Sequence, residues 1–235
     1  MQTIPLGPVR AITFDMYGTL LDLVASFGAG FEEFLEGRAY SGGADDVILG
    51  GHLPSREQRR LAAGPPPDPI RDGAQSDPEP AFPQAQDNPH QGRHRATDHH
   101  QSHPNPVPRR KEHLTRIQSL GKYEMSVLSN GDLESLDRAV NGLSIPVDRA
   151  ISAEGAGYYK PHTGVYQHAM KELGLMGEQV LHVAAHAWDI RGARAADMAG
   201  AYINRYGIPY VDVDGSQPDL QVLGLAQLAD QLSEI

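Results

Sequence analysis

The sequence predicts an α/β fold built on a parallel sheet, because three apolar runs of strand length each end in polar residues. These runs occupy residues 9–14, 125–128 and 180–185. The first ends on Asp15, and the second ends on Ser129. Since an open α/β sheet binds its ligands at the carboxyl ends of its strands, the residues that follow these runs are the first candidates for a functional site.

Asp15 is the strongest of these candidates. It comes directly after a buried strand, and Gly18 then allows a sharp turn of the backbone beside the carboxylate. Thr19 places a hydroxyl and an N–H within reach of it. The pattern favours a chemical role for Asp15, although a strand end capped by an Asp without any chemistry has the same local sequence.

Helical spacing fills the segments between these strands. Leu114, Ile117 and Leu120 share one face of a helix that Gly121 ends. The pattern also predicts a helix over residues 27–35, a helix opened by Asp132, a helix after Pro161, a strand over residues 201–204, a turn over residues 207–209 and a last helix around residues 223–232.

Composition limits the classes of protein that fit. The 235 residues, 40% of them hydrophobic, suffice for one α/β domain with an insertion. With 30 acidic and 20 basic residues, the net charge of -10 argues against nucleic-acid and anionic-membrane partners. The absence of Cys excludes disulfides and thiolate chemistry. We expect a cytoplasmic protein, because residues 1–10 lack the pattern of a signal peptide and no run reaches the roughly 20 apolar residues of a membrane span.

Residues 64–110 differ in composition from the rest. They contain eleven prolines and only three large apolar residues, Ile70, Phe82 and Val107. Such a segment buries too little apolar surface to offset its ordering entropy, about 1 to 2 kcal/mol per residue, so we predict that it is poorly ordered. Its histidines lack a periodic scaffold, which favours a solvated linker over a metal site. They are His90, His94, His99, His100 and His103.

A shift of reading frame is an alternative origin for this segment. If the codons are read one base late, residues 69–79 can be back-translated to encode RFAMAHRATLS, and residues 106–110 to encode PFPDV. Both strings would suit a packed helix and the start of the next core element. The sequence leaves open whether residues 64–110 are an insertion or the product of such a shift.

The string Asp-Met-Tyr-Gly-Thr-Leu at residues 15–20 resembles the first motif of the haloacid dehalogenase superfamily, and more narrowly of its L-2-haloacid dehalogenase (type II) branch. The resemblance implies a Rossmann-like core with a cap domain inserted after the first motif, and Asp15 as nucleophile. In the phosphatase branches a second Asp stands two residues later and works as general acid and base. Tyr17 holds that position here, so the resemblance favours attack on carbon over attack on phosphorus.

Three later stretches resemble the remaining motifs of that branch in the same order. Ser129 and Asn130 match the second motif, which implies that they bind an anionic group of the substrate. Lys160 matches the third, which implies a lysine paired with the nucleophile. Asp189 matches the acidic residue of the fourth, before a packed helix that starts at residues 192–193.

Three further positions bear on the match with this branch. Tyr166 lies six residues after the lysine, where the branch places an active-site tyrosine, although an ordinary core position fits the same pattern. His186 stands where the branch carries Asn, and Ala184 where it carries Ser. A histidine can replace the Asn as a hydrogen-bonding partner, but both changes affect the residues that arrange the hydrolytic water.

The resemblance therefore implies a hydrolase that cleaves the carbon–halogen bond of a small 2-haloalkanoate through an aspartyl ester, without a cofactor. Asp15, Thr19, Lys160 and Asp189 would be catalytic, and the substrate contacts would come from Tyr17, Ser129, Asn130, Tyr166 and His186. Residues 1–24 and 111–235 would form the core and residues 25–110 the insertion. We expect a small-molecule substrate as partner, and a homodimer stays an alternative to a monomer.

Two other functions stay open at this point. One is a phosphohydrolase of the same superfamily with Mg²⁺ held by Asp15, the carbonyl of Tyr17 and Asp189. The other is a catalytically impaired core protein that lacks a working cap and binds a partner through its proline-rich segment.

Overall fold

A computed structural model describes residues 6–22, 107–142, 144–210 and 217–235. They form a six-stranded sheet in which every pair of neighbouring strands is parallel, with the order β3-β2-β1-β4-β5-β6. The strands are β1 Ala11–Phe14, β2 Glu124–Ser129, β3 Arg149–Ser152, β4 Val180–Ala184, β5 Ala199–Ile203 and β6 Leu220–Val222. The predicted Rossmann-like α/β fold is confirmed.

Helices cover both faces of this sheet, as parallel sheets require. They are α1 Arg110–Gln118, α2 Leu133–Gly142, α3 Thr163–Leu173, α4 Ala187–Ala195 and α5 Leu225–Ser233. Helices α1, α2 and α5 pack on one face around Phe14 and Val127. Helices α3 and α4 pack on the other around Ala11 and Leu128.

The order of the strands places the candidate residues together. Strand β1 lies between β2 and β4, so the chain reverses its direction of winding at this point. Asp15 follows β1, Asn130 follows β2 and His186 comes two residues after β4. The three predicted strand ends therefore meet at the carboxyl edge of the sheet.

One helix boundary differs from prediction, and two strands were not predicted. Helix α4 begins at Ala187, five residues before the predicted start, because the extended backbone of His186 (φ -112°, ψ 124°) leads straight into the first turn. Strands β3 and β6, at the two edges of the sheet, were not predicted. They span only four and three residues, too few to show a clear apolar pattern.

The core resumes at Val107, earlier than the predicted boundary at residue 111. Val107 is buried, its N–H donates to the carbonyl of Leu20 at 3.3 Å, and α1 already begins at Arg110. The Arg110 guanidinium is buried and donates to the same carbonyl at 3.1 Å. Residues 107–110 are therefore part of the core, because they close the chain onto the turn that follows β1.

The predicted helix over residues 27–35, the predicted lack of order over residues 64–106 and the frame-shift hypothesis lie outside the described residues. None of the helices that the structure describes has the length and apolar composition needed to cross a membrane.

Candidate active site

Lys160 joins two of the predicted carboxylates. Its Nζ donates to Asp15 Oδ1 at 2.9 Å and to Asp189 Oδ2 at 2.6 Å, and its third hydrogen bond goes to the carbonyl of Leu128 at 3.0 Å. At most 7% of any of these three charged side chains is exposed. The structure thus brings together residues that lie 145 and 29 positions apart in the sequence.

This arrangement determines the charges of the three groups. Burial alone would raise the pKa of Asp15, but the Lys160 ammonium outweighs it, so the pKa lies below its usual range. Burial would likewise raise the pKa of Asp189, but Lys160 and His182 lower this pKa to well below the usual range. Burial would lower the pKa of Lys160, but the two carboxylates raise it. Two carboxylates and one ammonium are therefore ionised at neutral pH.

Thr19 fixes the second oxygen of the Asp15 carboxylate. Its hydroxyl donates to Asp15 Oδ2 at 2.8 Å and accepts the N–H of Ala185 at 2.9 Å. The turn between Asp15 and Thr19 passes through Gly18, whose positive φ of 86° is a conformation that glycine adopts without strain. The carboxylate is consequently held by Lys160 on one oxygen and by Thr19 on the other.

Asp189 is surrounded by donors. Besides Lys160, the Tyr166 hydroxyl donates to its Oδ1 at 2.6 Å and contacts its backbone carbonyl at 3.0 Å. Nε2 of His182 lies 3.0 Å from the same Oδ1, and His182 Nδ1 lies 2.9 Å from the Thr13 hydroxyl. Burial and the Asp189 charge raise the pKa of Tyr166 well above its usual value, so this hydroxyl remains a donor.

His182 is a residue of the site that sequence reasoning missed. It is fully buried in β4, directly opposite Thr13 in β1. The signal was present in the sequence, since a histidine interrupts an otherwise apolar strand and a buried imidazole needs polar partners. Its partner Asp189 could not be read from the sequence, because that depends on the packing of α4 against β4.

His186 lies against the turn of the nucleophile. Its Nδ1 is 3.6 Å from Asp15 Oδ2, beyond hydrogen-bond distance, and this buried nitrogen has no hydrogen-bond partner among the described residues. The imidazole stacks on the Trp188 ring with centroids 5.4 Å apart. It also packs so closely on Gly18 that a Cβ added there would lie 2.4 Å from the ring.

The predicted substrate-binding residues of the second motif differ in their contacts. The Asn130 amide oxygen accepts the N–H of Lys160 at 2.7 Å, and its Nδ2 donates to the Lys160 carbonyl at 3.3 Å. Asn130 therefore positions the lysine. The buried Ser129 hydroxyl accepts the N–H of Gly131 at 3.2 Å.

Tyr17, in the first motif, is half-buried. Its burial, together with the charges of Asp132 and Asp15, raises the pKa of its phenol.

A second group that sequence reasoning missed supports the nucleophile turn from outside. Arg205 donates to the carbonyl of Gly18 at 3.1 Å and to that of Thr19 at 2.7 Å. The Tyr206 hydroxyl lies 3.3 Å from the Gly18 carbonyl and from Asp22 Oδ1. Both residues follow β5, and nothing in the local sequence marks them as parts of the site.

The sequence matches the family of haloacid dehalogenase-like hydrolases over residues 9–197, which is most of the chain. The chain belongs to this family. Its curated relatives point to the L-2-haloacid dehalogenase branch, as the motifs predicted.

The similarity to two of these relatives is as follows. Haloacetate dehalogenase H-2 of Moraxella sp. (strain B) is 31% identical over 119 residues, which are 50% of this chain and 52% of the relative. The (S)-2-haloacid dehalogenase of Pseudomonas sp. (strain YL) is 34% identical over 109 residues, or 46% of this chain and 47% of the relative. The chain thus spans about half the length of the curated relatives it matches.

Solved structures share the fold at lower sequence identity. The L-2-haloacid dehalogenase RSc1362 has a TM-score of 0.62 at 19% identity, covering 96% of this chain and 99% of the other. The L-2-haloacid dehalogenase from Xanthobacter autotrophicus has a TM-score of 0.59 at 19% identity, covering 97% and 99%. These similarities confirm the predicted fold class.

The geometry of this haloacid dehalogenase-like site fits a Mg²⁺ ion poorly. Asp189, one of the proposed ligands, already receives hydrogen bonds from Lys160 on Oδ2 and from Tyr166 on Oδ1. Lys160 would also bring an ammonium against the ion through its contact with Asp15. In the described part of the chain, no group of three or more His, Cys, Asp or Glu side chains could hold a metal ion.

Proposed function

We propose that this chain hydrolyses the carbon–halogen bond of a small 2-haloalkanoate through an ester of Asp15, the activity for which its (S)-2-haloacid dehalogenase relatives are named. One observation carries the proposal. Lys160 lies between two buried carboxylates, so Asp15 is kept ionised in a site that largely excludes water. A desolvated carboxylate of this kind is a stronger nucleophile toward an alkyl halide than one in water.

In the first step an oxygen of Asp15 attacks the carbon that bears the halogen. A carbon–oxygen bond forms, the carbon–halogen bond breaks, and the electron pair leaves with the halide. The Asp15 charge is lost in the ester, and Lys160 then has Asp189 as its remaining anionic partner. We assign Asp189 the role of keeping the ammonium in place during this change of charge.

In the second step water attacks Cγ of the Asp15 ester. The bond between Cγ and the alkyl oxygen breaks, one proton of the water goes to the alkoxide and the other to solvent, and the products are a 2-hydroxyalkanoate and the Asp15 carboxylate. The Thr19 hydroxyl and Lys160 donate to the two Asp15 oxygens, so they are placed to stabilise the charge on the tetrahedral intermediate. No metal or organic cofactor takes part in either step of this proposal.

The substrate carboxylate needs donors beside Asp15. We assign it to the Ser129 hydroxyl and to the second N–H of the Asn130 amide, since one amide hydrogen is committed to the Lys160 carbonyl. The buried faces of Tyr17 and Tyr166 would border the substrate, as the motif match implies. Within this proposal, residues 1–24 and 107–235 form the core and residues 25–106 the insertion at the cap position.

The phosphohydrolase alternative has less support. It needs a second carboxylate two residues after Asp15, where Tyr17 stands, and it needs free oxygens on Asp189, which is bonded to Lys160 and Tyr166. The impaired-core alternative has no observation in its favour among the described residues, because the predicted site residues lie together with their charges paired.

Halide release tests the proposal directly. The chain is incubated with (S)-2-chloropropionate, its (R) enantiomer and a panel of phosphate esters, and chloride and phosphate are measured in parallel. We expect chloride from the (S) substrate and no phosphate. Phosphate release in the presence of Mg²⁺, without chloride, would support the phosphohydrolase, and neither product would support the impaired core.

A further inference from the structure

The ester of the proposed reaction can be hydrolysed rapidly only if a base removes a proton from the attacking water. Asp189 is the obvious carboxylate for this role, but its surroundings exclude it. Lys160 occupies its Oδ2, and the Tyr166 hydroxyl and His182 Nε2 approach its Oδ1 at 2.6 Å and 3.0 Å. Both oxygens of Asp189 are thus occupied, and Lys160 and His182 also lower its pKa, so another group is needed to take the proton.

The other groups around Asp15 are no better suited. Burial raises the pKa of both Tyr17 and Tyr166, so each phenol keeps its proton. The Thr19 hydroxyl already donates to Asp15. Lys160 is a cation held between two carboxylates, and its pKa is raised.

His186 has the properties that the step requires. Its Nδ1 lies 3.6 Å from Asp15 Oδ2 and has no hydrogen-bond partner in the described part of the chain, although the side chain is only 8% exposed. A buried nitrogen without a partner costs free energy in the resting protein, which is explained if a reactant fills the vacancy. The ring is also fixed in direction, because Gly18 and Trp188 pack against it.

We propose that His186 is the general base that activates water for hydrolysis of the Asp15 ester, an inference that rests on the proposed function. Water bound to Nδ1 gives its proton to this nitrogen as its oxygen attacks Cγ of Asp15. The tetrahedral intermediate then expels the alkoxide of the 2-hydroxyalkanoate, which takes the proton from the imidazolium. The products are the 2-hydroxyalkanoate and the Asp15 carboxylic acid, and His186 returns to its neutral form. The acid proton, which is the second proton of the water, then passes to solvent and restores the Asp15 carboxylate.

This assignment separates the two chemical steps. Attack on carbon needs Asp15 and Lys160 but no base, whereas ester hydrolysis needs His186. A variant without the imidazole should therefore release halide once and then accumulate the ester. That outcome differs from a loss of folding, which would stop both steps.

The experiment compares the full-length wild-type chain with His186→Phe and His186→Ala, using excess 2-chloropropionate. Chloride is measured by rapid quench, and the peptide that contains Asp15 is examined by mass spectrometry. We expect both variants to release about one equivalent of chloride and to retain the ester, with steady turnover lowered by roughly 100-fold or more. Added imidazole should speed turnover of His186→Ala, because it fits the space left by the ring, and it should not affect His186→Phe. His113→Phe, the same change on helix α1 away from the site, serves as the control.

Each result decides between the proposals. The role of His186, and that alone, would be overturned if both variants turned over at the wild-type rate. It would also be overturned if variants with the wild-type circular dichroism spectrum failed to release the first equivalent of chloride. If His186→Phe does not fold, His186→Ala with and without imidazole decides, and a lack of rescue counts against the base. A wild-type chain that releases no chloride would overturn the proposed function, and this inference with it.

Discussion

The hydroxyl of Thr19 accepts the backbone N–H of Ala185 at 2.9 Å, although the two residues lie 166 positions apart in the sequence. The same hydroxyl donates to Asp15, so one side chain connects the turn after β1 to the turn after β4. His186 is the next residue along the chain, and its position relative to Asp15 is set by this link. The arrangement of the site can therefore be tested by changing the nucleophile, its ammonium partner and the residues that hold the turn.

Asp15→Asn should abolish halide release, since an amide cannot attack carbon and form the ester. The chain should still fold, because the amide oxygen can accept from Lys160 and the ammonium keeps Asp189 as an anionic partner. Asp230→Asn, at a surface ion pair with Arg116, is the control and should retain wild-type activity. Chloride release by a folded Asp15→Asn chain, checked for deamidation by mass spectrometry, would remove Asp15 from the mechanism.

Lys160→Met should lower both activity and stability, because it leaves two buried carboxylates without their cation. We expect the free energy of unfolding at about pH 7.5 to fall by roughly 3 to 5 kcal/mol, measured by urea denaturation. Lys111→Met, at an exposed position of α1, should change it by no more than about 0.5 kcal/mol.

The pH dependence of that loss has a definite sign. In the wild type, the lowered pKa values of Asp15 and Asp189 contribute stability above the ordinary value of 3.8, and this contribution disappears as the pH falls below it. The raised pKa of Lys160 contributes stability that is lost only as the pH rises above 10.5. In Lys160→Met, burial would instead raise the pKa values of the two carboxylates. The free energy of unfolding of this variant should therefore rise relative to that of the wild type as the pH is lowered from about 7.5 to 5. If the difference in free energy of unfolding between the wild type and Lys160→Met stays constant over this pH range, the pairing of Lys160 with the two carboxylates is contradicted.

Dehalogenation should need no divalent metal, because Lys160 supplies the positive charge beside Asp15. The measurement is chloride release before and after treatment with a chelator, with Mg²⁺ added back. We expect equal rates in all three conditions. Activity that disappears on chelation and returns with Mg²⁺ would favour the phosphohydrolase.

The sequence alone predicted the parallel sheet and brought the right strand ends together, because each of the three central strands is an apolar run that stops at polar residues. It could not predict that Asn130 bonds to the backbone of Lys160, since this depends on how the segment before α3 packs beside β2. It also missed His182 as a partner of Asp189. That contact follows from the register of β1 and β4, which pairs Thr13 with His182, and from the position of α4.

The boundary of the insertion shows a different limit of sequence reasoning. Pro104, Pro106 and Pro108 made residues up to 110 look unlike a core. Val107 and Arg110 are nevertheless buried, because both contact the carbonyl of Leu20 in the turn after β1. Composition averaged over a window cannot detect such a contact, which involves two residues and a distant backbone group.

Arg205→Met should weaken the nucleophile turn from outside the site. It removes the donors to the carbonyls of Gly18 and Thr19, at 3.1 Å and 2.7 Å. We expect unfolding to become easier by about 2 to 3 kcal/mol and halide release to fall by roughly 10- to 100-fold, because the Asp15 carboxylate loses its fixed direction. Arg116→Met, at a surface ion pair, is the control. Full activity in Arg205→Met would show that Thr19 alone holds the turn.

Gly18→Ala tests the close approach of His186 to the nucleophile turn, and Gly121→Ala is its matched control. Both glycines have a positive φ, 86° and 65°, so both substitutions carry the conformational cost of that region, about 1 to 2 kcal/mol. A Cβ at Gly18 would lie 2.4 Å from the His186 ring, whereas a Cβ at Gly121 meets nothing within 4 Å. We therefore expect Gly18→Ala to lower the free energy of unfolding by about 1 to 3 kcal/mol more than Gly121→Ala does, and to slow halide release, because the ring must move. Combining Gly18→Ala with His186→Ala should recover this excess loss of stability, since the clash is then absent, and equal losses in the two single variants would show that the ring yields without cost.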